Sequence, residues 1–272
     1  MKQPGRDLFL NLAEESEQIQ GLSYAVGNGT VKQHGETVSL QLGVTPEEMY
    51  SNAQVDDYHQ TGEMRWRAPV VMKVHARFSG TGEKLRGTAG FGFWNDPLGM
   101  TRQGDHQGWL PRVRLPQAIW FFFAAQPSQM PLARRVPGWG WKAATIDASS
   151  ALARVLLPVA PLGMLACRVP VLYHVLWPLA QRVLKIDERV VPVSMDAWHV
   201  YELQWRKDGA RFVVDGEVVL QTPFAPRGPL GFVAWIDNQF MVATPQGVIQ
   251  HGVVSVEGQG LDLAALEVTR PR

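Results

Sequence analysis

The sequence of 272 residues contains one cysteine, Cys167, so no disulfide bond can form within the chain. A chain without disulfides fits a reducing compartment. The first residues, MKQPGRDLFLNLAEESEQ, are acidic and lack the apolar run of a secretory signal. We therefore expect a cytoplasmic protein.

Signatures of common catalytic and binding sites are also missing. The sequence contains no phosphate-binding loop, no G-x-S-x-G, no H-E-x-x-H and no paired C-x-x-C. Its basic residues are not clustered in a known nucleic-acid-binding module, so we expect no nucleic acid as a partner. We also expect no cofactor.

Charged residues make up only 19% of the chain and are unevenly distributed. Residues 1–60 carry nine acids and three bases, whereas residues 131–190 carry eight bases and three acids. Such an asymmetry either marks a surface for an anionic partner or is neutralised within the fold. Hydrophobic residues make up 46% of the chain, which argues against disorder.

The sequence does contain the period-two alternation of β-strands. In Val70–Phe78 apolar and polar residues alternate, as in a half-buried strand. Asp215-Gly216 stands between two β-branched runs and predicts a hairpin with a type I′ turn. Gln117–Ala125 (QAIWFFFAA) is apolar on both faces, which fits a central strand. The pattern predicts an all-β, two-sheet antiparallel β-sandwich.

Residues 147–185 interrupt this alternation. The apolar residues between Leu172 and Val183 follow helical spacing. A transmembrane helix needs about 20 continuous apolar residues. Arg168 and several prolines break the stretch, so we exclude a membrane span. We expect two or three short amphipathic helices that either pack on the sandwich or lie on a membrane surface.

Part of the sequence resembles a known superfamily. Trp198–Trp205 (WHVYELQW) and Ala210–Gly216 (ARFVVDG) are similar to the W-H-x-Y-x-x-x-W and V-D-G pattern of concanavalin A-like lectins and glucanases, especially glycoside hydrolases of the laminarinase and lichenase type. Lys73–Phe78 resembles the strand before the core tryptophan strand of that family, and Gly87–Asn95 resembles the tryptophan strand itself.

The resemblance covers roughly residues 65–125 and 195–240. It implies a jelly-roll β-sandwich of the concanavalin A-like class. We therefore predict that residues 1–272 form one such domain, with an apolar, basic helical insertion at about 131–190.

The catalytic motif of those glucanases is absent. The family carries three carboxylates in an E-x-D-x-E pattern on one strand, and its retaining chemistry needs two of them about 5–5.5 Å apart. The equivalent strand here is Gln117–Ala125, which contains no acid, and E-x-D-x-E occurs nowhere in the chain. The catalytic residues of the family therefore cannot be transferred to this sequence.

Gly90 and Gly92 leave one face of their strand bare beside Trp94. A sugar or a flat apolar ligand could stack on such a surface. Alternatively, the two glycines make room for a side chain that covers the strand.

Two aromatic strand ends followed by short polar residues, at 94–97 and 235–239, form the best candidate site. Such polar groups can hold a ligand's hydroxyls or a calcium ion, or can form Asx turns. The turn interpretation is favoured for any single Asp, and we expect no bound metal ion. The aromatic face of the central strand adds Trp120 and Phe122. The predicted ligand-binding residues are Trp94, Asn95, Asp96, Trp120, Phe122, Trp235, Asp237, Asn238 and Gln239.

The first functional hypothesis is a carbohydrate-binding or glycoside hydrolase-like protein. It rests on the resemblance and on the clusters at Trp94 and Trp235. Hydrolysis would need Asp96, Asp237 or Asp57 as catalytic acids, in an arrangement unlike that of the family.

The second hypothesis is a cytoplasmic protein or enzyme that binds a hydrophobic small molecule or lipid. The aromatic face of Gln117–Ala125 would form the pocket floor, and the helical insertion would cap it. The segment 147–185 would alternatively contact a membrane surface. A structural or interaction module without a ligand is the third option.

Overall fold

A computed structural model describes residues 8–9, 23–97, 114–134 and 136–271. Antiparallel β-strands make up nearly half of these ranges. In chain order the strands are β1 (Leu8–Phe9), β2 (Ser23–Val26), β3 (Gly29–His34), β4 (Thr37–Leu42), β5 (Asn52–Asp56), β6 (Val70–Phe78), β7 (Thr88–Trp94), β8 (Gln117–Ala124), β9 (Gly140–Asp147), β10 (Asp187–Val190), β11 (His199–Arg206), β12 (Gly209–Val214), β13 (Glu217–Thr222), β14 (Gly231–Asp237), β15 (Gln239–Ala243), β16 (Ile249–Val253) and β17 (Gln259–Thr269).

The strands form two large sheets and one small ribbon. The front sheet has the order β10-β9-β8-β7-β14-β5-β2. The back sheet has the order β13-β12-β11-β6-β17-β4-β3, with β1 also paired to β17. β15 and β16 form a separate two-stranded ribbon. The predicted two-sheet antiparallel sandwich is confirmed.

The hydrophobic core lies between the two sheets, because each strand turns alternate residues inward. On β6 the inward residues run from Val70 to Phe78, in the register that the sequence predicts. On the front sheet Phe121 and Phe91 contact each other, with ring centroids 5.6 Å apart. Trp141 packs beside them in the same core.

The predicted Asp215-Gly216 hairpin is also confirmed. Asp215 has φ +50° and Gly216 has φ +87°, the left-handed conformations that a type I′ turn requires. One carboxylate oxygen of Asp215 accepts a hydrogen bond of 2.8 Å from the Val200 backbone N–H. The other carboxylate oxygen lies against the His199 ring, so this part of the W-H…V-D-G pattern has a structural role.

The helical insertion is present but shorter than predicted. It contains α1 (Ala151–Leu156), a 3₁₀ turn (Leu157–Val159), α2 (Ala160–Ala166) and α3 (Pro170–Val183). The predicted bounds of 131–190 were wrong at both ends, because β9 and β10 belong to the front sheet. The apolar residues of β9 are buried by sheet packing, which a sequence pattern does not distinguish from helix burial. Across the described ranges, no helix is long and apolar enough to cross a membrane.

Candidate functional site

The outer face of the front sheet, opposite the core, carries a group of aromatic side chains. Ile119 and Phe121 of β8 point into the core, and Trp120 and Phe122 point outward, as expected. Strand register aligns Phe122 with Gly90 and Trp235 across β8, β7 and β14. One row of the sheet thus brings together residues that are far apart in the sequence.

The two glycines of β7 make room for these aromatic rings. A Cβ atom on Gly90 would stand 3.0 Å from Cη2 of Trp235, and one on Gly92 would stand 2.6 Å from Cβ of Trp120. The glycines therefore accommodate covering side chains, the second of the two alternatives drawn from the sequence. The surface over β7 is aromatic and not bare.

Four of these side chains form one continuous surface, here called the aromatic floor: Trp94, Trp120, Phe122 and Trp235. The rings of Trp120 and Phe122 are stacked, with centroids 5.3 Å apart and planes at 18°. Trp120 also lies 5.2 Å from Trp235 and 6.0 Å from Trp94. Because Trp94, Trp120 and Phe122 are only partly buried, the floor still offers apolar surface to a ligand.

The β15–β16 ribbon and the loop at 128–132 stand over the floor and enclose a cavity of about 400 Å³, here called the front cavity. The two covering segments are hydrogen-bonded to each other. Gln129 donates its N–H to the Met241 carbonyl, and its own carbonyl accepts from the Ala243 N–H, each at 2.9 Å. Phe240 and Leu132 are among the side chains that these segments turn toward the cavity.

The expectation that the helical insertion caps this pocket was wrong, since no residue of α1, α2 or α3 lines the front cavity. The reason is topological. The helices leave the sheet after Asp147 and return at Asp187, on β9 and the edge strand β10. They are therefore attached at one edge of the sheet, from which Arg168 donates a hydrogen bond of 3.3 Å to the Gln246 carbonyl in the turn between β15 and β16.

Asp237 forms part of a polar end of the cavity. Its Oδ1 accepts hydrogen bonds from the Thr88 hydroxyl at 2.8 Å and from the Gln239 backbone N–H at 3.1 Å. The Thr88 hydroxyl oxygen in turn accepts a bond of 3.0 Å from the Trp235 indole N–H, which fixes that ring in the floor. Burial raises the pKa of Asp237 to about 7, and the hydrogen bonds from Thr88 oppose that rise.

Asn52 and Gln54 of β5 complete this polar end and were not predicted from the sequence. Both side chains are buried and line the cavity beside Asp237. The Oδ1 atom of Asn52 has no hydrogen-bond partner. A buried acceptor without a partner is costly, so it marks a place where a ligand donor would be favourable. Only strand register brings β5 beside β14, and no local motif indicates it.

A buried ion pair forms the opposite end of the cavity. Nζ of Lys142 lies 2.9 Å from Oε2 of Glu188, and both side chains are almost fully buried. Lys142 also donates to the Pro137 carbonyl at 3.0 Å, and Glu188 accepts from the Ala133 N–H at 2.7 Å. Burial raises the pKa of Glu188, and Lys142 opposes that rise. The pair therefore anchors the loop that begins to cover the floor.

Three predicted ligand-binding residues serve other purposes in the structure and do not line the front cavity. Asn95 accepts from the Gln117 N–H and donates to the Leu115 carbonyl, both at 2.9 Å. Asn238 is fully buried among backbone partners, including the Ser51 N–H at 2.8 Å. Asp96 is buried just after the end of β7, with φ +40°. Trp94, Trp120, Phe122, Trp235, Asp237 and Gln239 do line the cavity.

Asp57, the remaining candidate acid, faces away from the cavity. It accepts hydrogen bonds from the indole of Trp66, a core residue, and from the Phe232 N–H at 2.9 Å. Burial raises its pKa to about 6, and the bond from Trp66 opposes that rise. These contacts give Asp57 a structural role.

The carboxyl groups of Asp237, Glu188 and Asp57 are too far apart for the chemistry of a glycosidase pair. Asp237 on β14 and Glu188 on β10 are four strands apart, about 19 Å at 4.8 Å per strand. Asn52 lies directly opposite Asp237 on the neighbouring strand. Asp57 is five residues farther along the chain, about 16 Å from Asn52. Glycosidase pairs are about 5–9.5 Å apart. In the described part of the chain, no group of three or more His, Cys, Asp or Glu side chains could hold a metal ion.

No protein-family model matches the sequence, and no curated protein matches it significantly. Among solved structures, a legume lectin-like domain from Entamoeba histolytica matches with a TM-score of 0.51 at 10% identity, covering 100% of both chains. A beta-1,3-glucanase from Mycobacterium marinum matches with a TM-score of 0.47 at 11% identity, covering 94% of this chain and 93% of that one. A sialidase matches with a TM-score of 0.44 at 8% identity, covering 97% of this chain, which spans only 18% of that protein. The lectin-like match confirms the concanavalin A-like fold.

Proposed function

We propose that the front cavity binds a small molecule with a flat, mostly apolar body and a hydrogen-bond donor at one end. The observation that carries this proposal is the position of the aromatic floor beside Asn52, whose buried Oδ1 has no partner. Ligand pockets are typically a few hundred Å³ in volume, apolar over most of their surface, with a few polar groups that fix orientation. The front cavity has this size and lining.

Binding, and not hydrolysis of a glucan, is the role that the cavity supports. Both mechanisms of glycoside hydrolysis use two carboxyl groups on either side of one bond. Within the described ranges, neither Glu188 nor Asp57 lies at such a distance from Asp237, given their strand positions. The same site is well suited to holding an apolar ring system over Trp120, with its donor directed to Asn52.

Carbohydrate binding is the second candidate function. The polar end of the cavity supports it, because Asn52, Gln54 and Gln239 add amide groups that can bond sugar hydroxyls. Trp120 could stack on a sugar ring. Phe240, Met241 and Leu132 on the covering side favour the first candidate, since a sugar carries hydroxyl groups around its ring and these side chains offer them no hydrogen-bonding atom.

Titration of the full chain with two kinds of probe separates these candidates. The apolar probe is anilinonaphthalene sulfonate, and the saccharide probes are oligosaccharides of β-1,3- and β-1,4-linked glucose. We expect saturable binding of the apolar probe, with quenching of tryptophan fluorescence, and no competition by saccharides. Saccharide binding that displaces the probe would favour the second candidate. Absence of binding in both titrations would contradict both.

We also propose that residues 1–272 form one domain. The core between the sheets draws on residues from Val38 to Val268, and no second core of comparable size is found within the described ranges. A single cooperative unfolding transition, coincident by tryptophan fluorescence and circular dichroism, is the expected result. Two separated transitions would contradict it.

A further inference from the structure

The helices between β9 and β10 expose most of the large apolar side chains found on the described surface. Nineteen large hydrophobic residues are exposed in the described ranges, and thirteen of them lie between Leu152 and Leu179. The most exposed of these thirteen are Val155 at 73%, Val171 at 72% and Leu162 at 69%. An apolar patch of this extent on a folded protein marks a contact surface.

These helices contribute nothing to the core of the sandwich. α2 and α3 contain no buried residue, and no residue of 148–186 belongs to the core between the sheets. On α3 the exposed residues Val171, Val175 and Leu179 lie four residues apart and therefore form one stripe along the helix. The stripe cannot be explained as packing within the described part of the chain.

The charge of the same segment has one sign. Between Asp147 and Asp187 the sequence contains Arg154, Arg168 and Arg182, together with Lys185, and no acid. All three arginines are exposed. Arg168 stands in the connection between α2 and α3, and Arg182 in the last turn of α3, so positive charge lies beside the apolar surface.

We propose that residues 148–186 dock the protein on an anionic lipid bilayer, with the helices lying in the interface. Short helices with an apolar face and basic residues bind membranes in this way, because the apolar side chains enter the acyl boundary while Lys and Arg reach the headgroups. Anionic headgroups match a segment that has three exposed arginines and no acid, while Lys185 is paired with Asp147. A protein partner would have to cover apolar residues on three consecutive helical segments, whereas a bilayer accommodates them without a matching shape.

Docking would bring the bilayer close to the rim of the front cavity. Gln181 of α3 donates a hydrogen bond of 2.9 Å to the carbonyl of Leu132, whose side chain lines the cavity. Arg134, in the same loop, lies 3.1 Å from Nδ1 of His174 on α3. Provided that the proposed function holds, the ligand is then a lipid-like molecule that partitions in the membrane and enters beside this loop.

Vesicle flotation of the full chain tests the docking surface. We expect the protein to float with vesicles of equimolar phosphatidylcholine and phosphatidylserine and to remain unbound with phosphatidylcholine alone. The double variant Val171→Ser/Val175→Ser should lose flotation. Val44→Ser is the matched control, because Val44 is 73% exposed but lies outside the segment, and it should float like the wild type. The double variant Arg154→Gln/Arg182→Gln should partition about 25-fold more weakly, at about fivefold per basic residue.

Failure of the wild type to float, or equal flotation of Val171→Ser/Val175→Ser, would overturn the docking proposal. A dimer that dissociates in the same variant, combined with no flotation, would assign the surface to a second copy of the chain and would also overturn it. Trp120→Ala separates this test from the proposed function, since it should float normally while binding the apolar probe more weakly. Normal flotation with no probe binding by the wild type would retain the docking surface and reject the ligand.

Discussion

The indole of Trp235 lies over the backbone of Gly90, so close that a Cβ atom on Gly90 would stand 3.0 Å from its Cη2 atom. The same Cβ would stand 2.3 Å from the carbonyl oxygen of Phe121 on the neighbouring strand. Because Gly90 has no side chain, the Trp235 ring and the backbone of β8 can both lie close to it. The position of Trp235 in the floor depends on it.

Gly90→Ala should therefore destabilise the fold, because the neighbouring strand or the Trp235 ring must shift. Overpacking of this kind costs about 1–3 kcal/mol, measurable as the free energy of unfolding in urea. Gly163→Ala is the control: Gly163 lies in α2, and its added methyl group would meet open space. It should be neutral or stabilising by up to about 1 kcal/mol. Equal stability of both variants would show that β7 tolerates a side chain at position 90.

The pH dependence of stability should reveal the buried acid Asp237. Its pKa of about 7 in the fold exceeds the ordinary value of 3.8, so the folded state binds the proton more tightly. The contribution of Asp237 to the free energy of unfolding is most favourable below about pH 4. It falls by up to about 4 kcal/mol as the pH rises to about 7. Asp237→Asn keeps an acceptor for Thr88 and removes this titration.

The measurement is the difference in unfolding free energy between the wild type and Asp237→Asn across that pH range. The variant should gain relative stability as the pH rises. Asp57, whose pKa is raised to about 6, is present in both proteins and cancels in the difference. A difference that stays constant with pH would mean that Asp237 is ionised normally.

Glu188→Gln should strongly destabilise the protein, because it leaves the buried ammonium of Lys142 without a counter-charge. Breaking a buried pair in this way typically costs about 3–5 kcal/mol. The control is Arg77→Gln, which breaks the partly exposed pair of Arg77 with Asp262 and should cost less than about 1 kcal/mol. A similarly small loss in both variants would show that water reaches Lys142.

Much of the fold could be predicted from the sequence, because strand alternation and turn chemistry are local. The alternation in Val70–Phe78 and the Asp215-Gly216 turn each fix a strand or hairpin without long-range information. The helices between Ala151 and Val183 lie within the predicted stretch 147–185, but the wider bounds of 131–190 were wrong, since the apolar residues of β9 resemble those of a buried helix. The cytoplasmic location expected from the single cysteine stays a prediction.

The site could be predicted where its residues lie near strand ends or on the aromatic face of the central strand, as Trp120 and Phe122 do. Trp94, Trp235 and Asp237 stood out in this way, and all three line the cavity. Asn52 and Glu188 did not, because they reach the cavity through sheet register over long sequence separations. Asn95 and Asn238 looked like ligands because a turn that satisfies its own backbone uses the same residue types as a binding site.

Asn52→Leu should separate ligand binding from stability. Leu has a similar branched shape and removes a buried acceptor that has no partner, so the free energy of unfolding should change little or rise. Affinity for a ligand with a donor group should fall by about 1–3 kcal/mol. Calorimetric titration and urea unfolding of the same preparation measure both effects. Unchanged affinity would remove Asn52 from the proposed site.

The most direct test of the aromatic cavity is the affinity of the apolar probe for Trp120→Ala. Trp120 contacts three other rings of the floor and remains partly exposed, so its loss should weaken binding by about 10- to 100-fold. Trp139→Ala is the matched control, because Trp139 is an exposed tryptophan outside the cavity. This variant should bind the apolar probe as tightly as the wild type does. Equal affinity of Trp120→Ala and Trp139→Ala would contradict the account, since the probe would then bind elsewhere on the protein.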